Sequence, residues 1–122
     1  MKFLHSSIAA LALALSSSGG AQALPTAPQC DIDVLNTPQG IVLQSVARAR
    51  TAVSGSYQLS VDTSGPTGRS TVSQGGDFSV RGGRSETLGS LFLGRSSGAL
   101  VVARMDLSWA GGRTSCMRRI RL

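Results

Sequence analysis

From Tyr57 onward the chain alternates. Tyr57, Leu59 and Val61 fall on one parity, and Ser56, Gln58, Ser60 and Asp62 on the other, the period of two that marks a half-buried β-strand. Ser64, Gly65, Pro66, Thr67 and Gly68 follow. In such a cluster glycine supplies positive φ and proline fixes its own, so the chain reverses there. The return strand, Arg69 to Val80, carries Thr71 and Val72, then Gly75 and Gly76, then Phe78 and Val80. The glycine pair is expected to mark a bulge or bend. This hairpin, Gly55 to Val80, is the centre on which the other elements are expected to pack.

The same reading places strands on both sides of it. Cys30 to Leu35 is a short strand with Ile32 and Val34 on one face, ended by Asn36, Thr37, Pro38, Gln39 and Gly40. Gly40 to Arg50 is a second strand with an imperfect pattern, since Leu43, Ala47 and Ala49 share one parity and Val42 and Val46 the other. A bulge near Ser45 would reconcile the two halves. Beyond the hairpin, Arg81 to Arg84 is a loop and Ser85 to Leu93 a strand with both faces partly apolar. Gly94 to Gly98 turns, and ALVVARMDL, Ala99 to Leu107, is the strongest apolar run and a candidate central strand. After a turn at Ala110, Gly111 and Gly112, Thr114 to Leu122 alternates again. Cys116, Arg118, Ile120 and Leu122 point one way, and Met117, Arg119 and Arg121 the other. About seven short antiparallel strands joined by Gly- and Ser-rich turns, with no convincing amphipathic helix, predict an all-β, immunoglobulin-like β-sandwich. A small barrel is the alternative, because strand count does not settle closure.

The first residues change the domain limits. Lys2, the apolar run IAALALAL from Ile8 to Leu15, and Ala21, Gln22, Ala23 have the order of a secretory signal peptide, residues 1–23. The apolar run is too short to span a bilayer, so no membrane insertion is expected after cleavage. Residues 24–122 form the folded domain, expected to work as a monomer in the periplasm. Removing 1–23 removes the only lysine and the only histidine, leaving eleven arginines against six acids, a net charge of +5. An acidic protein partner fits that charge. Nucleic acid does not fit an exported domain so poor in aromatic side chains for base stacking.

Two cysteines in an exported chain are expected to be joined, and Cys30 and Cys116 lie in the first and last strands. A redox pair would favour close spacing such as Cys-x-x-Cys, which disfavours an oxidoreductase. Without histidine in the domain no Ser-His-acid or Cys-His arrangement can be built. The two distant cysteines and scattered aspartates form no metal-ligand cluster, and no cofactor is expected. Asp31 and Asp33 share a strand face and read as a solvated edge. Gly75, Gly76, Gly82 and Gly83 are turn residues, since no strand-to-helix step follows them to cradle a phosphate. The domain binds rather than catalyses.

The arginines carry the positive signal. Arg104, Arg119 and Arg121 fall on outward parities of two strands expected to pair across Gly111 and Gly112, so they form one candidate partner-binding patch. Arg113, in a loop, and Arg118, of inward parity, are weaker candidates. Ordinary solvated charge that guards an exposed strand edge is the competing account.

Taken in order, Gly55-x-Tyr57-x-Leu59-x-Val61, Ser64-Gly65-Pro66-x-Gly68-x-Ser70, Ser73-Gln74-Gly75-Gly76-x-Phe78 and Leu88-Gly89 resemble the CsgH type of curli-assembly chaperones, relatives of the CsgC type. The resemblance covers nearly all of residues 24–122. It implies an immunoglobulin-like periplasmic protein, not an enzyme, that inhibits premature amyloid polymerisation of the secreted curlin subunit. The enteric CsgC type carries a Cys-x-Cys pair, whereas Cys30 is followed here by Asp31 and Ile32, so no redox role carries over. The alternative function is a structural pilus or adhesin-type subunit that joins an assembly by strand addition.

Overall fold

A computed structural model describes residues 27–122; the signal-peptide reading of 1–23 lies outside them. Seven strands follow one another: β1 (Gln29–Thr37), β2 (Gly40–Ala49), β3 (Val53–Gly65), β4 (Gly68–Val80), β5 (Arg84–Gly94), β6 (Leu100–Trp109) and β7 (Gly112–Arg121). All pairings are antiparallel. They form two sheets, β1-β2-β5 and β4-β3-β6-β7, a sandwich rather than a closed barrel. In an immunoglobulin constant domain the fourth strand sits in the sheet of strands one, two and five. Here it pairs with β3 instead, because the two-residue turn Pro66-Thr67 closes a Gly65–Gly68 pair and so short a link joins only neighbouring strands of one sheet.

The core lies between the sheets. Ile32, Ile41, Leu43 and Ala47 face Leu59, Val61, Val101, Ala103, Met105 and Leu107, all essentially inaccessible to water. Burying each large aliphatic chain stabilises the fold by about 1.5–3 kcal/mol. The ALVVARMDL run does supply a central strand: β6 lies between β3 and β7.

Two expectations about irregular positions are corrected. Gly75 and Gly76 make no bulge or bend, for β4 stays in register with β3 from Gly68 to Val80. Gly75 is needed for close approach, since a Cβ there would lie 2.8 Å from the Tyr57 carbonyl oxygen. The register shift falls at Ser45/Val46, where a bulge was expected, but the extra residue belongs to β5. Ser45 pairs with Gly89 and Val46 with Thr87, so Leu88 is unopposed. The bulge turns Leu88 inward to join Leu91 and Leu93 against the core, while Phe92 stays outside, 54% exposed. That is why β5 is apolar on both parities.

The sandwich is closed differently at its two long sides. On one, Cys30 and Cys116 are joined, with their Cα atoms 5.7 Å apart, as expected, and the Arg118 guanidinium donates to the Ile32 carbonyl at 2.9 Å. On the other, the Tyr57 hydroxyl donates to the Leu88 carbonyl at 3.1 Å and the Gln74 amide to that of Ser90 at 3.2 Å. A Cβ at Gly89 would come within 2.7 Å of the Tyr57 hydroxyl oxygen, so that residue leaves room for the contact.

The corrected backbone separates two glycines that look alike in sequence. Gly68 has φ of 129°, and Gly68→Val should lower stability by on the order of 1–3 kcal/mol. Gly76 is not among the positive-φ glycines, and its Cβ would make only an ordinary 3.6 Å contact with the Tyr57 ring. Gly76→Val should therefore cost clearly less, and urea melts of the two variants check the order.

Candidate functional site

Register fixes what the outer face of the larger sheet presents. One cross-strand row runs Arg69, Ser64, Leu100, Arg121; the next Thr71, Asp62, Val102, Arg119; the third Ser73, Ser60, Arg104, Met117. Arg104, Arg119 and Arg121 thus share a face, as their parities require. Arg113, read as a loop residue, lies within β7 opposite Ser108 on the same face. Arg118 does not join them: it is committed across the sandwich to Ile32.

The sequence reading missed Arg69, which β4 brings to this face, and the apolar centre of the patch. Leu100 and Val102 are half-buried, and Met117 is 56% exposed between the arginines. The signal was present in ALVVARMDL, whose second parity, Leu100 and Val102, is apolar where solvent was expected.

The arginines are not equivalent. The Arg104 guanidinium lies 3.7 Å from the Asp106 carboxylate, which also accepts from the Ser115 hydroxyl. Arg121 donates to the Gly98 carbonyl at 3.4 Å. Arg119, like Arg69 and Arg113, makes no ion pair or side-chain hydrogen bond among the described residues, so these three charges are the most available. Exposed ion pairs are worth about 0–1 kcal/mol; what such a face has to offer a partner is its summed field and its planar donors.

Beside Leu100 and Val102 lies a trough of about 370 Å³, with Asp62 and Ser64 along its floor and Arg69 and Thr71 on the far side. A larger open depression of about 600 Å³ lies at the other sheet, among Gln29, Arg48, Arg50 and Arg84. At its rim the Arg48 guanidinium lies 3.6 Å from the Asp31 carboxylate, both side chains about half exposed. The outer face of the smaller sheet carries the apolar row Leu35, Val42, Phe92, and Arg48 farther along β2 on the same parity. Among the described residues no group of three metal-ligating side chains occurs.

The family described as "CsgH protein" matches residues 29–119. The solution structure of CsgH from R. palustris superposes with a TM-score of 0.66 at 31% identity, covering 75% of this chain and 90% of that one. The E. coli curli protein CsgC superposes with a TM-score of 0.63 at 14% identity, covering 76% and 97%, a likeness of fold. A search of curated proteins finds no match.

Proposed function

The chain belongs to the CsgH family, and from that premise we propose that it is a periplasmic chaperone that delays amyloid polymerisation of curlin. It acts by binding, as a monomer, through brief, electrostatically steered contacts with the outer face of its larger sheet. The observation that carries the reading is the convergence of Arg69, Arg104, Arg113, Arg119 and Arg121 on one sheet face with an apolar centre. A basic face raises the encounter rate with an acidic client. Exposed backbone and apolar groups then hold an early oligomer long enough to disfavour a nucleus, which needs no stoichiometric complex.

The test is an amyloid-dye time course of purified curlin with residues 24–122 present far below equimolar ratio. The lag should lengthen; an unchanged lag at every ratio overturns the proposal. A second reading, strand addition, is favoured by one asymmetry. Side chains cap edge carbonyls of β1 and β5 at Ile32, Leu88 and Ser90, whereas no such cap on β4 occurs among the described residues. β4 is thirteen residues long and contains no proline, an open template for pairing. Stable co-purification with an assembled fibre would favour this reading.

A further inference from the structure

We infer that the trough between β4 and β6 receives a tyrosine side chain of the client, seated between Leu100 and Val102 on one side and Arg69 on the other. The inference rests on the reading of this face as the client-binding surface and adds what the arginines alone do not supply, a shape-selective contact.

The lining favours one chemistry. Leu100 and Val102, half-buried on the outer face, give an apolar wall. Arg69, exposed on the opposite wall, offers a guanidinium plane, which stacks on aromatic faces. A flat ring satisfies both walls at once. The floor is polar: Ser64 offers a hydroxyl, and Asp62 accepts the Thr71 hydroxyl at 2.7 Å with further acceptor capacity on its carboxylate. Such a floor suits a ring that ends in an O–H donor. Next to the apolar wall, one strand over, stand Arg121 and Arg119, placed for carboxylates that flank the ring along an extended chain. The occupant is therefore an extended acidic segment with a tyrosine between acids, and the charge of the surrounding face complements it.

The experiment titrates eight-residue peptides of alternating aspartate and serine, with a central tyrosine, phenylalanine or alanine, into isotope-labelled residues 24–122 and follows backbone amide shifts. The tyrosine peptide should shift Ser64, Leu100 and Val102 and bind roughly tenfold tighter than the alanine peptide, with phenylalanine between them. In Leu100→Ser/Val102→Ser, with folding confirmed by the amide spectrum, the tyrosine advantage should disappear while weak binding of the alanine peptide persists. Equal affinity of the tyrosine and alanine peptides for the unaltered protein would overturn the inference and leave arginine steering standing. If neither peptide perturbs Arg119 or Arg121, and the delay of curlin fibres is also insensitive to salt, the reading beneath it falls as well.

Discussion

A Cys30→Ala/Cys116→Ala variant is expected to lose about 4 kcal/mol of stability, and its melting temperature should fall by roughly 20 °C. The bridge spans 86 residues, and closing so long a loop removes much of the freedom of the unfolded chain. It also joins β1 and β7, edge strands of different sheets, so it ties the two layers together as well as shortening the chain. On the opposite side, beside the short Arg81–Gly83 loop, the side-chain hydrogen bonds among the described residues that do the same task are those of Tyr57 and Gln74, at about 1 kcal/mol each. Thermal and urea melts of wild type with and without reductant, beside the double variant, measure the effect. Coincident midpoints would show that the interlayer core suffices.

The Arg104→Ser/Arg119→Ser/Arg121→Ser variant should retain its fold and lose most of its activity on curlin. All three side chains point away from the core, so circular dichroism and melting should change little. If the basic face sets the encounter rate, removing three of its charges should raise the concentration needed for a given lag by roughly tenfold. Wild-type activity should weaken as salt rises, because exposed charges are screened beyond about 8 Å at physiological ionic strength, and the variant should respond less. Among single changes at these three positions Arg119→Ser should matter most, since Arg104 is already shared with Asp106 and Arg121 with Gly98. A triple variant that delays fibres as well as wild type at low and high salt would remove this face from consideration.

Strand identity was legible because period-two alternation is a local property. Tyr57, Leu59 and Val61, and again Val101, Ala103, Met105 and Leu107, are buried where their parity placed them. The arginine face followed from the same rule once β6 and β7 were paired. What failed was non-local. Gly75 read as a bend because glycine in a strand weakens it, yet its role is set by the Tyr57 carbonyl on the neighbouring strand. The irregularity near Ser45 was visible in β2, but its extra residue sits in β5, and no pattern within β2 could assign it. Arg69 was invisible for a similar reason: it meets Arg121 only across two intervening strands. Arg118 showed inward parity without showing that a β1 carbonyl would occupy it.

The position of β7 has a consequence for the order in which the molecule comes into being. Of the seven described strands β7 is synthesised last, and it carries Cys116, Arg113, Arg119 and Arg121. A chain that lacks β7 has neither the thiol partner of Cys30 nor three of the five arginines of the basic face. The full basic face and the covalent lock on the sandwich therefore both wait on β7, and a chain without that strand has neither.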